Sequence, residues 1–254
     1  TTGSTSYNIV ALTDEGTLDT SSGSVLSGIT LTAPKGATVI TPTTTLMQEG
    51  GLTAAQVAAV LGVPDSVDLL TFNPYANGVN AADALAVEIA AQQVVAVVTA
   101  FAGAAEGAGA SAEDAFAAAM QSVAEVVKMK AEAAAADSTA SAESTKIDFA
   151  NAADLGLIKN QVAIQVATKD GTDQTIFDAI AGDTVNAIKN VNDVIATASD
   201  LTSDASRNKF SIPQVLAAQV QDAADEYQSV GLVGDIAFTS TSAVETAAAN
   251  ATPT

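Results

Sequence analysis

Two short runs in this 254-residue chain set oxygen ligands close together. In Asp170-Gly171-Thr172-Asp173, two carboxylates flank a glycine and can turn their oxygens toward one hard cation. Asp200-Leu201-Thr202-Ser203-Asp204 offers a second cluster of the same kind. Asp170, Asp173, Asp200 and Asp204 are therefore the candidate metal ligands, and calcium is the ion they suit. A complete EF-hand loop would need further acids and a glutamate about nine residues beyond Asp173, and Gly182-Asp183 does not supply it. The same residues also make turns and helix caps, the use that the sequence favours in both places.

No other constellation carries chemistry. There is no cysteine, so disulfides, thiolate nucleophiles and iron–sulfur clusters are excluded. There is no histidine either, which removes the commonest general base and every histidine-dependent triad. Gly103, Gly107 and Gly109 follow no strand and precede no Lys-Ser/Thr pair, so they end a helix rather than cradle phosphate. Glu125 and Glu132 fall on a solvated helix face with no partner to raise a pKa. Phe72, Tyr75, Phe101, Phe116, Phe149, Phe177, Phe210, Tyr227 and Phe238 are scattered singly and read as core residues.

Charge narrows the partners. Acids outnumber bases 29 to 9, for a net charge of -20. The bases form no patch along the chain, so neither nucleic acid nor an anionic membrane is an expected partner. An acidic, lysine-poor surface stays soluble in salty or calcium-containing water, where self-repulsion is screened. The start at Thr1, without methionine or leader, reads as a processed or excised piece. The longest apolar stretch, 84–105, contains Glu88, Gln92 and Gln93, and reads as a buried helix rather than a membrane span.

The elements that position these residues change character along the chain. Tyr7–Leu12, Val25–Thr32 and Ala37–Thr41 are β-favouring runs separated by Gly/Ser/Asp turns, within a β-rich segment 1–45 that can exchange strands or continue an upstream β-module. A helical body spans 46–230. Thr53 caps a short helix stopped by Gly62 and Pro64. Asn80 opens a long helix, with Leu85, Ile89, Val94, Val98 and Phe101 as its bulky positions. Ser111 opens another, striped by Phe116, Met120, Val123 and Val127. Residues 133–144 read as a frayed end and loop. Asn151 caps a helix carrying Leu155, Ile158 and Val162, and Ile176, Ile180, Ile188, Val191 and Ile195 mark the next. A last helix is expected from Ser211, with Pro213 just inside it and Leu216, Val220, Tyr227 and Val230 inward. In segment 231–254, Ile236–Thr239 reads as a closing strand and 243–254 as a tail. The expected fold is mainly α: an antiparallel bundle of about five helices with short β segments at the N-terminus and near the C-terminus.

Several stretches resemble one family. Ala37-Thr38-Val39-Ile40-Thr41-Pro42-Thr43-Thr44-Thr45-Leu46-Met47, then Gly51-Leu52-Thr53, Val60-Leu61-Gly62-Val63-Pro64 and Asp68-Leu69-Leu70-Thr71-Phe72-Asn73-Pro74-Tyr75, look like a helical segment of giant secreted adhesin-like or matrix-like proteins of marine bacteria. Those proteins carry cadherin-like, VCBS-like and RTX-type calcium modules. The runs Ala104–Ser111 and Asp200–Ser206 match as well, so the resemblance spans about 6–227. It implies a helical segment following a β-module and carries over no catalytic residue. The glycine-aspartate nonapeptides of RTX modules are missing here, so calcium binding is not inherited.

The function expected from all this is non-enzymatic: an extracellular or cell-surface structural or adhesive module, self-associating or contacting neighbouring modules of its parent. Assembly into a filament or layer has a route in strand addition, by the N-terminal β segment or by Asp235–Thr239. The alternative is a module that binds a glycan, an ion or a small ligand in a pocket between helices. A carboxylate hydrolase would need two acids converging across a cleft, which the sequence does not suggest. No cofactor is expected beyond the calcium candidates.

Overall fold

The computed structural model describes residues 8–14, 16–23, 29–137 and 139–251, except the side chains of 142 and 143. Strand β1 (Ile9–Leu12) pairs antiparallel with β2 (Thr30–Ala33), Ile9 lying opposite Ala33 and Leu12 opposite Thr30. Eight helices and one helical turn follow: α1 (Pro42–Gly50), α2 (Ala54–Leu61), α3 (Ala81–Gly107), α4 (Ala112–Ala136), the turn α5 (Ala142–Thr145), α6 (Ala152–Val166), α7 (Gln174–Ile195), α8 (Asp204–Val230) and α9 (Thr241–Asn250). The fold is thus mainly helical with a two-stranded sheet at its N-terminus, and has more helices than the five expected. Of the β-favouring runs, Tyr7 and Val25–Gly28 fall outside the described residues.

Helix starts follow local chemistry. Thr53, Asn80, Ser111 and Asn151 each accept a backbone N–H of the following turn through their side chains, satisfying donors that a helix cannot pair internally. Gly51, Gly62 and Gly231 close α1, α2 and α8 in the left-handed region, with φ of 62°, 70° and 74°.

At the centre lies α3, which packs on α8, α4 and α7. Val94, Val97 and Phe101 have no exposed surface. By length and composition it is the one helix among the described residues that could cross a membrane, and here it is the core of the bundle. Gly103 does not terminate it, as the sequence led us to expect, but lies inside it, whereas Gly107 is its last residue. Both face α8: a Cβ on Gly103 would stand 2.5 Å from the Ala217 carbonyl oxygen, and one on Gly107 would overlap the Ala224 side chain. Thr99 approaches the Pro213 carbonyl in the same series. The pairs 99/213, 103/217 and 107/224 increase together, so α3 and α8 run parallel. The chain turns two residues beyond the helix end at Gly109, whose φ of 104° and close approach to the Gly171 carbonyl leave no room for a side chain.

Two further boundaries differ. α8 starts at Asp204 under a Ser203 cap and runs through Pro213, rather than starting at Ser211. Packing against α3 holds the helix across a residue that removes one backbone bond. The expected strand Ile236–Thr239 is not a strand. The Ala237 N–H donates to Gln219 (3.0 Å) and the Phe238 carbonyl accepts from Asn190 (2.8 Å), so side chains of α8 and α7 satisfy this extended segment. The tail forms α9, which buries Val244 and Ala248.

Candidate functional site

α1 opens with three threonines, and all are buried: Thr43, Thr44 and Thr45 are at most 2% exposed. Thr41 caps the helix and Pro42 follows at its first position, where a missing N–H is harmless. This geometry turns two hydroxyls onto the outer edge of β2. The Thr32 N–H donates to the Thr45 hydroxyl at 3.0 Å. The Thr44 and Thr45 hydroxyls each lie within 3.2 Å of both the Thr32 and the Thr41 carbonyls, so two protons serve two acceptors. At Thr32, side chains of a helix therefore do what a neighbouring strand would otherwise do. Ala37–Thr41, β-favouring in sequence, is not a strand but the lead into this cap, held by Thr38 N–H to the Leu70 carbonyl (2.8 Å).

Beside this joint is a cavity of about 360 Å³, enclosed by the β segment, the start of α1, the loop 72–75, α3 and α4. Leu31, Val95, Val98, Phe116 and Met120 give it apolar walls, and Asp19, Tyr75, Glu88 and Gln92 supply polar groups. Each polar residue has a local reason for its place. Glu88 and Gln92 are one turn apart on α3 and share a face. Asp19 is fixed by its own turn: the Ser21 and Ser22 hydroxyls both donate to its Oδ2 at 2.6 Å. Asn73 accepts the Tyr75 N–H at 2.9 Å, an Asx turn that sets the tyrosine at the rim.

These groups form one network. The Gln92 amide nitrogen donates to Glu88 Oε1 at 2.9 Å and to Ser21 Oγ at 2.5 Å, and lies 3.5 Å from Asp19 Oδ2. Glu88 is 6% exposed and Gln92 4%. Burial, with the Asp19 charge adding to it, pushes the Glu88 carboxyl up to about 7, although hydrogen bonds from Gln92, Ser21 and Tyr75 act the other way. Burial likewise raises the Tyr75 phenol, helped by the Glu88 and Asp19 charges and opposed by a hydrogen bond with Ser21 and by Arg207. Gln92 Oε1 is buried without a hydrogen-bond partner. Two acids do converge here, but the Gln92 amide stands between them, where a hydrolase would need a scissile bond or a water.

The four candidate calcium ligands are not brought together with further acids. No group of three or more acidic side chains arranged to hold a metal occurs among the described residues. Asp173 caps α7 by accepting the Thr175 N–H at 2.8 Å. Asp200 accepts from the Thr202 N–H and hydroxyl, both at 2.8 Å, which lowers its pKa. Asp204 lies in the first turn of α8 and Asp170 is exposed.

Phe72, Tyr75 and Phe116, read from sequence as core residues, line the cavity. Glu88 and Gln92 were visible as polar residues at i and i+4 in an apolar helix, the one signal for this site. No known protein family, characterised protein or solved structure matches the chain.

Proposed function

We propose that the chain is a non-enzymatic structural or adhesive module of an extracellular bacterial surface protein. In this reading it fastens an incoming β segment to a helical body, so that position and load pass from one to the other. The observation that supports it is the threonine joint: buried hydroxyls of α1 bond both backbone groups of Thr32. The net charge of -20 suits a screened, saline exterior. Self-association by strand addition belongs to the same reading, and its route is narrower than the sequence implied. Asp235–Thr239 is no strand, and β2 is engaged by β1 and α1. β1 has no second strand beside it among the described residues, and it exposes Val10 (57%) and Leu12 (78%).

Size-exclusion chromatography with light scattering and negative-stain imaging, with and without millimolar calcium, tests this. Assemblies that a Val10→Lys change abolishes support strand addition. A monomer at every concentration and calcium level removes self-assembly and leaves a spacer.

A second reading, a module that binds a small ligand between helices, is favoured by the cavity and its buried network.

A further inference from the structure

The cavity's hydrogen-bonding inventory selects a kind of ligand. Its volume of about 360 Å³ lies at the low end of the roughly 300–1,000 Å³ usual for small-molecule sites. Glu88 and Gln92 mark one end of the α3 wall, and Val95 and Val98 lie further along the same helix, up to about 15 Å away at 1.5 Å per residue. Exposed Leu18 and Tyr75 also line it, placing it in reach of solvent.

Donors at the polar end are already committed. The Gln92 amide nitrogen serves Glu88 and Ser21, the Ser21 and Ser22 hydroxyls serve Asp19, and the Tyr75 hydroxyl bonds Glu88. What remains is acceptor oxygen and negative charge. The ion pairs among the described residues join Lys130 to Asp154, Lys169 to Asp114 and Lys189 to Asp193, and none involves Glu88 or Asp19. Arg207, the cation whose field reaches the site, acts on Tyr75 and is itself exposed. A carboxyl 6% exposed with no cation beside it among the described residues is costly as an anion.

The geometry points to a binding site for a small organic amine, its ammonium group set against Glu88 and Asp19 and its apolar body along Val95 and Val98. This rests on the ligand-binding reading above and names its ligand class. An alcohol of the same shape could donate one hydrogen bond but would bring no charge, and a carboxylate would be repelled.

Isothermal titration of the full chain at pH 8 with hexylamine, 1-hexanol and hexanoate tests the site. Hexylamine should bind at least about tenfold more tightly than hexanol, and hexanoate should not bind. Glu88→Gln should remove that preference by weakening hexylamine far more than hexanol. Should that variant lose its helical circular dichroism, proton release by the wild-type chain decides instead. At pH 7 hexylamine should displace a fraction of a proton from Glu88, read from titrations in two buffers of different ionisation heat. Equal binding of amine and alcohol, a preference that survives Glu88→Gln, or no proton release would overturn the amine assignment and leave a pocket of other specificity. Failure of all three compounds to bind would sink the ligand-binding reading as well.

Discussion

The Thr45 hydroxyl accepts the backbone N–H of Thr32 at 3.0 Å and lies 3.0 Å from the Thr32 carbonyl. One buried side chain of α1 thereby meets both polar groups of a strand residue that faces away from its only ladder partner. Sheet and helix are joined by hydrogen bonds as well as by apolar contact, and the two-stranded sheet, marginal in isolation, gains a support.

Thr45→Val should lower stability by about 1–2 kcal/mol, because it leaves a part-buried N–H unpaired while keeping the shape. Thr45→Ser should retain most of it. Urea unfolding of the three proteins measures the difference; equal midpoints for valine and wild type would show that the hydroxyl contributes nothing.

Glycines in helices should separate into two groups. Gly103→Ala and Gly107→Ala gain helix propensity worth up to about 1 kcal/mol, yet their new methyls meet the backbone of Ala217 and the side chain of Ala224. Overpacking should win, for a net loss on the order of 1–3 kcal/mol. Gly156→Ala and Gly182→Ala meet nothing within 4 Å and should gain about 0.5–1 kcal/mol. Thermal melts of the four variants check the sign of each.

Stability should fall as pH rises between about 4.5 and 7 through Glu88, whose carboxyl is raised from 4.5 to about 7. Across that window the folded state holds the proton more tightly than the unfolded chain, so raising the pH draws it off at the expense of the fold. Below the unfolded value the effect vanishes, and above about 7 it is complete, on the order of 3 kcal/mol. Glu88→Gln should therefore be more stable than wild type at pH 8, with much of that advantage lost at pH 4. Denaturation at both pH values reads this directly.

Asp173→Ala should cost about 1 kcal/mol through loss of the α7 cap, and Asp173→Asn should cost little, since asparagine caps as well. Melting each variant with and without calcium separates capping from ligation. A calcium-dependent gain present in wild type and lost in Asp173→Asn would assign the carboxylate to a metal.

Most helix starts were legible because their causes are local: Thr53, Asn80, Ser111 and Asn151 are caps that pair within their own first turns. What escaped the sequence was set by distant partners. α8 runs through Pro213 because α3 lies along it, and Gly103 reads as a stop until Ala217 is seen opposite. Ala37–Thr41 has strand composition, but it leads into the α1 cap, and nothing in the spacing of the threonines after Pro42 shows that Thr32 lies beside them. Ile236–Thr239 has strand composition, but Gln219 and Asn190 claim its backbone. The candidate site was half visible: Glu88 and Gln92 stood out in an apolar helix, whereas Asp19 and Ser21 lie about seventy positions earlier and no periodicity links them.

The claim that the two-stranded sheet is fastened to the helical body is tested most directly by native-state hydrogen exchange at the Thr32 amide. The account predicts that this amide exchanges only with unfolding of the helices, at the same free energy as the core amides of α3, and that Thr45→Val uncouples it. Exchange of Thr32 through a low-energy local opening in the wild-type protein, with α3 still protected, would contradict it.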